Sequence, residues 1–473
     1  MKKSLISIIL LVALLFNVFA LVGCNNKVIA PDFVIPEGGY DGSEVTIKFY
    51  HTMGQNLSDV LDLYIVEFNK LYPNIHIVWE QVGNYDDVLE QISTQLTVGN
   101  QPNIAYCYPD HVASYNLAGA VVTLDELIAS TIEVKRDDGT TEILGLTEAQ
   151  IADFIQGYYN EGKEFGDGKM YTMPLSKSTE VLYYNKTFFD KHELTPPKTW
   201  DEMEALCKKI KEIDNKSVPL GYDSEANWFI TMCEQLGSDY TSATGDKRFL
   251  FDNETNRTFV KKYREWYVKG YVTTQEINGG AYTSGLFNEQ DHTKLHSYMS
   301  IGSSAGATKQ RPAAVDGVYP FEVGITTIPQ TDPNNPKVIS QGPSLCIFKK
   351  ENPQEVVASW LFVKYLTTCI EFQAEFSMAS GYVPVLKSVA EHPEYADFLA
   401  KADGGTNIAA LAAKICIAQE SAYYTSPAFN GSSTARNQVG ALLQKCLLIK
   451  DGDIDAQIKK AFADAVAECE YRS

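Results

Sequence analysis

Glu44-Val45-Thr46-Ile47-Lys48-Phe49-Tyr50-His51-Thr52-Met53 is the stretch whose reading decides the fold. Val45, Ile47 and Phe49 alternate with Thr46 and Lys48, the period of a strand with one face on a core. His51 to Asn56 reads as a loop. Leu57, Val60, Leu61, Tyr64, Ile65, Phe68 and Leu71 then recur at helical spacing, and Pro73 stops that helix. Ile75, Ile77 and Trp79 make a second strand. Tyr85 to Val98 makes a second helix, closed by Gly99, and Ile104 to Tyr108 a third strand running into Pro109-Asp110. Strand and helix alternate at the spacing of βαβ units. The pattern predicts an α/β fold with mostly parallel sheets flanked by helices. Ligands of such sheets sit beyond the carboxyl ends of strands, where His51-Thr52-Met53, Tyr85 and Asp110 lie.

Upstream, Lys2 and Lys3 precede an apolar run from Leu5 to Leu21, broken only by Ser7 and Asn17. A basic start, an apolar middle and small residues at the cut make a secretory signal over residues 1–23. The run is also about long enough to span a bilayer as an uncleaved helix. Leu21-Val22-Gly23-Cys24 resembles the lipobox of bacterial lipoproteins, which implies lipidation of Cys24 and cleavage before it. Residues 24–43 then hold the lipidated Cys and a tether with Pro31, Pro36, Gly38, Gly39 and Gly42. A flexible chain of that length reaches roughly 25 Å.

The 473 residues are too many for one ordinary core, so two lobes are expected. The content of 45% hydrophobic and 21% charged residues is that of a folded globular chain. A net charge of −20 argues against nucleic acid and against electrostatic attraction to anionic lipid, leaving the anchor as the membrane contact. Beyond Cys24 there are eight cysteines, none in C-x-x-C and most among apolar neighbours. They are expected to be mostly buried free thiols, with one or two bridges allowed.

Further along, Thr199 is placed to cap a helix that opens at Trp200, with Asp201, Glu202 and Glu204 at its positive end. Trp228 to Leu236, Thr255 to Lys269, Pro353 to Leu366 and Glu371 to Ala379 read as helices, and the last hundred residues as mainly helical. Several chemistries are set aside. Gly302-Ser303-Ser304-Ala305-Gly306 matches the nucleophile elbow of hydrolases, but Asp332 and His392 are the only loosely placed partners, so no catalytic residue is expected. His292 and His296 stand four apart without the Glu of H-E-x-x-H, so no zinc is expected. Asp451, Asp453 and Asp455 start like a calcium loop, but Ala456 and Phe462 stand where it needs Gly and Glu. No cofactor is expected.

The order of these elements resembles the extracellular solute-binding proteins of bacterial ABC importers, in the group that takes sugars and related polyols. The pieces that carry the likeness are Thr46 to Met53 with its helix to Phe68-Asn69 and Tyr72-Pro73; Leu96 to Pro102; Met173-Pro174 to Asn185-Lys186; Pro197-Lys198-Thr199-Trp200; and Gly381-Tyr382-Val383-Pro384. The resemblance implies a two-lobed periplasmic-binding-protein fold (class II) with a multi-crossing hinge. The expected crossings lie near Leu175–Thr179, Pro320 and Ser377–Gly381. Lobe 1 would take 44–174 and 321–378, and lobe 2 would take 175–320 and 379–473. Within the group the chain is most similar to the glycerol-3-phosphate and glycerophosphodiester binders. Phe49 to Met53, Gly83-Asn84-Tyr85, Ser178-Thr179, Ile301 to Ser304, Gly342, Tyr382 and Arg436 fall where that branch has its motifs. The resemblance therefore implies aromatic walls at Tyr85, Trp228 and Tyr382. It implies polar contacts from Ser178, Ser304 and the Gly342 backbone, and a phosphate partner in Arg436. Asp110 stands one or two places from the branch's acidic ligand. Asp110, and Glu180 beside Ser178-Thr179, suit a sugar hydroxyl better than a phosphate. The expected function is capture of a carbohydrate or related polyol, with a glycerol-phosphate ester as the alternative. Delivery would be to ABC permease subunits, by a lipid-anchored monomer on the outer face of the cell membrane.

Overall fold

The computed structural model describes residues 30–472; Cys24 and the apolar run before it lie outside them. The strands are β1 (Val45–His51), β2 (Ile75–Gln81), β3 (Ile104–Cys107), a hairpin of β4 (Glu133–Lys135) and β5 (Thr141–Ile143), β6 (Met173–Pro174), β7 (Ser178–Asn185), β8 (Leu220–Tyr222), β9 (Val272–Thr274), β10 (Met299–Ser303), β11 (Val323–Thr327), β12 (Val338–Gln341), β13 (Ser344–Ile347) and β14 (Tyr423–Tyr424). The alternation in β1 does what its pattern says: Val45, Ile47 and Phe49 are buried while Thr46 and Lys48 face water. The helix Gln55–Leu71 buries Leu57, Leu61, Tyr64, Ile65 and Phe68 against the same core. Asn84 and Asp87 close a capping box on the helix Tyr85–Leu96, and the Thr199 hydroxyl accepts from the Glu202 N–H at 3.1 Å to start Trp200–Ile213.

Two sheets result, each over its own core. One runs β2-β1-β3-β13-β6; the other runs β14-β12-β7-β10-β8-β9, with β11 also paired to β7. Both are mixed rather than mostly parallel. β1 pairs parallel with β2 and β3, as helix crossovers require, but β13 enters from the far lobe and lies antiparallel to β3 and β6. In the second sheet β7 runs against β10, β11 and β12.

The lobe boundaries expected from sequence need correction at two places. Residues 321–341 belong to the second sheet, because β11 and β12 both pair with β7 there. The chain returns to lobe 1 between Gln341 and Ser344, which moves the second crossing from Pro320 to this turn. After the helix Ile370–Ser380 the chain does not leave lobe 1 at once. Val385, Leu386, Val389 and Tyr395 fill its core, and the chain rejoins lobe 2 before Ile408. Apolar pattern alone could not show either, since the same alternation fits either core. The first crossing, between β6 and β7, lies within Leu175–Thr179 as expected.

The last helices, Ile408–Ala418, Ser432–Leu447 and Ile454–Arg472, all pack on lobe 2. The eight described cysteines form no disulfide with one another; seven are buried and Cys369 is half-buried. No helix among the described residues is long and apolar enough to cross a membrane.

Candidate functional site

The three segments that meet at the hinge are held by one buried cation. Lys177 has no exposed side-chain surface and is ion-paired with Glu161, itself almost fully buried. Its Nζ also donates to the Gly342 carbonyl at 3.1 Å and to Ser344 Oγ at 3.0 Å, and Ser344 Oγ donates to Glu161 at 3.1 Å. The Lys177 backbone pairs with Val383. Thus 175–179, 341–344 and 381–383 are tied at a single point. Gly342 has φ +113°, and a Cβ there would stand 2.7 Å from the Ser176 carbonyl oxygen, so only glycine lets the two crossings pass.

Above this knot lies a cavity of about 310 Å³ between the lobes, within the range of small-ligand pockets. Lobe 1 supplies Tyr108, Asp110 and Glu161; the hinge supplies Gln341 and Gly342; lobe 2 supplies Tyr240, Ser426 and Arg436. Asp110 sits in the first turn of Pro109–Asn116, directly after β3, where the strand-end rule puts ligands. Arg436 projects from Ser432–Leu447, and its guanidinium donates to Asn227 Oδ1. The Asn227 amide in turn donates to Glu180 Oε1 at 2.9 Å and Gln341 Oε1 at 3.0 Å. Tyr222 donates to the other Glu180 oxygen at 2.6 Å. Arg436 is therefore oriented through an amide whose two ends are both spoken for.

Burial pushes the Glu180 carboxyl up from its ordinary 4.5 to about 7, although Tyr222, Asn227 and Arg436 pull the other way. A carboxyl raised on folding stabilises fully below about pH 4.5, and that contribution is lost as pH rises through about 7. Glu180→Gln, neutral at every pH, is therefore expected to escape the loss on the order of 3 kcal/mol that the parent suffers across this window. Calorimetric melts of both proteins at pH 5 and pH 8 measure it. A parent protein whose stability does not fall relative to the variant between pH 5 and pH 8 refutes the assignment.

Of the residues expected from sequence, Asp110, Gly342 and Arg436 meet in this cavity. Tyr85 stands one ring away, 4.3 Å from Tyr108 and 5.8 Å from Tyr106 between centroids, with the Tyr382 phenol beside it. Neither Tyr85 nor Tyr382 lines the cavity itself; both stand behind Tyr108. Ser178 lies under the floor, 3% exposed, opposite Gln341 in the strand register.

Two further expectations are corrected. Trp228 is not a wall: it is fully buried and parallel to Tyr222 at 4.9 Å, among Trp200 and Tyr263 in the lobe 2 core. The helix Glu225–Leu236 is covered on nearly every side, as apolar Phe229 and Ile230 beside it indicate. Ser304 is not a ligand contact either. It is fully buried, and its hydroxyl accepts from the Thr179 N–H at 3.2 Å. It secures the start of β7 and offers no open face for a nucleophile. Ser304→Ala is expected to cost about 1–3 kcal/mol by stranding that N–H, with solute affinity nearly unchanged. Melting and titration of the variant check both halves; a large loss of affinity with an unchanged melt contradicts them.

Tyr108, Glu161, Tyr240, Gln341, Ser426 and Asn227 went unnoticed in the sequence. Tyr108 was within reach, because it precedes Asp110 at a strand end. Tyr240 and Ser426 sit in loops with no motif, and only tertiary contact brings them to the cavity.

A polar cavity at the hinge of two α/β lobes, with donors and acceptors from both, is the arrangement of a receptor for a small solute. The model of the bacterial extracellular solute-binding protein family matches residues 64–402, and the chain belongs to that family. It is a solute-binding protein of the kind that serves ABC importers, and its relatives are binding proteins rather than enzymes. It is 26% identical over 357 residues to the sn-glycerol-3-phosphate-binding periplasmic protein UgpB of Salmonella typhimurium, covering 73% of this chain and 75% of that one. Among solved structures, UgpB from Mycobacterium tuberculosis in complex with glycerophosphocholine superposes with a TM-score of 0.69 at 17% identity, over 91% of this chain and 98% of the other. The cyclic alpha-maltosyl-1,6-maltose binding protein from Arthrobacter globiformis gives 0.68 at 19%, over 91% and 100%. At these identities the superpositions speak for the fold alone.

Proposed function

We propose that the chain captures a small polyol carrying a phosphate ester, of the glycerol-phosphate type, and delivers it to a permease. One observation carries this: Arg436 lines the cavity with only a neutral amide as side-chain partner and no carboxylate paired to it among the described residues. A guanidinium held this way presents its free N–H groups as a fork that matches phosphate oxygens. The Glu161 carboxylate in the same cavity is already neutralised by Lys177 and does not repel an anion. The named specificity of the UgpB relatives agrees with this reading. A neutral sugar is the second reading, favoured by Asp110, an acceptor for hydroxyls, and by the tyrosine wall.

A thermal-shift panel separates the two. Glycerol-3-phosphate and a glycerophosphodiester should raise the melt, by roughly 2.7 kcal/mol of stabilisation at 100 Kd, while glycerol and maltose at the same concentration shift it far less. Shifts by sugars alone select the second reading, and no shift by any member removes both.

The same reading places the protein, as a monomer, on the outer face of the cell membrane through a lipid on Cys24. Stable anchoring takes two acyl chains or more, and the tether after Cys24 keeps the receptor concentrated near its permease. A fatty-acid probe should label the parent protein and not Cys24→Ser; an unlabelled parent would count against the anchor.

A further inference from the structure

Away from the cleft, three side chains able to bind a metal converge on lobe 2. Asp214 caps the end of Trp200–Ile213, and His292 and His296 flank a turn that leads into β10. Their donor atoms all lie within 4.8 Å of one another. The two histidines stand four apart, not on a helix but in a turn. Asp291 builds it by accepting from the Thr293 N–H at 3.0 Å and the Thr293 hydroxyl at 2.6 Å. The two imidazoles stack in parallel, 4.2 Å apart.

Both nitrogens of His296 face acceptors. Its ring is 1% exposed, with Nδ1 2.9 Å from the Lys294 carbonyl and Nε2 2.7 Å from Asp214 Oδ2. A carbonyl and a carboxylate both accept, so a neutral ring that donates from Nδ1 turns its Nε2 lone pair onto a carboxylate lone pair. Either a proton or a metal ion has to stand between them. The outer contacts are those of a ligand set. The Lys294 carbonyl fixes the His296 tautomer, the Tyr298 hydroxyl donates to Asp214 Oδ2 at 3.0 Å, and the Lys216 N–H donates to Oδ1 at 3.1 Å.

We propose that Asp214, His292 and His296 form a zinc site, with water in the fourth position. Two imidazoles and one carboxylate are borderline donors that suit Zn²⁺ and not Ca²⁺ or Mg²⁺. Around a tetrahedral zinc with bonds of about 2.0–2.1 Å, donors lie about 3.3 Å apart, so the His296 Nε2–Asp214 Oδ2 contact opens from 2.7 Å and the exposed His292 ring turns out of its stack and moves inward by at most about 1.5 Å. The ion takes the place of the His296 proton, which is released to solvent. None of the three residues lines the cleft cavity. The ion would therefore clip the loop after Trp200–Ile213 to the turn before β10 and leave the solute site untouched.

The test uses tag-free protein stripped with chelator and titrated with Zn²⁺ alone. Expected are one zinc per chain by calorimetry and elemental analysis, a higher melting temperature, and a visible d–d band when Co²⁺ replaces zinc. His292 is exposed, so His292→Ala keeps the fold and should weaken binding at least about tenfold; Tyr298→Phe, which keeps the ring on Phe188 but loses the outer hydroxyl, should weaken it by about 10–100-fold. Sub-stoichiometric binding by the parent protein overturns the site. Undiminished binding by His292→Ala also overturns it, because the ion then sits elsewhere, for instance on the exposed His76–Glu44 pair.

Discussion

Arg436→Ala is expected to abolish binding of a phosphate ester while leaving a neutral polyol within a few-fold of its parent affinity. The guanidinium is half-buried at the cavity, and the charge-assisted bonds it would make to phosphate are the strongest single polar contacts the site offers. Losing one partner of such a pair costs about 2–5 kcal/mol, or roughly 30- to several-thousand-fold in Kd. Arg436→Lys should recover only part of this, because an ammonium cannot span two oxygens in the fork geometry. Titration calorimetry of the three proteins against glycerol-3-phosphate and glycerol measures it. Equal losses for both ligands mean that Arg436 acts by holding Asn227 and the lobe 2 wall, and the phosphate reading fails.

The second large effect concerns the hinge. Lys177→Met should destabilise the protein by about 3–5 kcal/mol, because Glu161 is left as an unpaired buried carboxylate. The Gly342 carbonyl and Ser344 hydroxyl lose their donor as well. The double variant Lys177→Met/Glu161→Leu should regain most of the loss, since an apolar pair of similar volume replaces a costly ionic one. Glu161 also lines the cavity, so the single variant exposes its charge to the solute and should weaken a phosphate ester more than a neutral polyol. Calorimetric melts and ligand titrations of the four-membered cycle follow both effects. A Lys177→Met protein that melts with the parent, or a double variant worse than the single, removes the case for an ionic knot.

Much of lobe 1 was legible because its signals are local. The β1 alternation, the Leu57-to-Phe68 stripe, the stop at Pro73 and the Thr199 cap each need only neighbouring residues to act. The strand-end rule then reached Asp110 without any contact information. Lobe membership was less legible. β11 and β12 carry apolar patterns that fit either core, and the choice of β7 as partner is a long-range one. Trp228 and Ser304 were misplaced for a related reason. An aromatic beside a strand end and a serine after one look alike in sequence whether they face a cleft or a core.

By itself the sequence determined two α/β lobes and a family, because periodicity, turn residues and motif order act over short spans. Only the tertiary structure decided where the chain crosses between lobes and that Lys177 neutralises Glu161 beneath the cavity. It also set Arg436 facing that cavity through Asn227, and brought Asp214 to two histidines. Those pairings join residues from 16 to 209 positions apart. Burial sets their energies, since a charge that is harmless in water must find its partner once the surrounding chain has excluded the solvent.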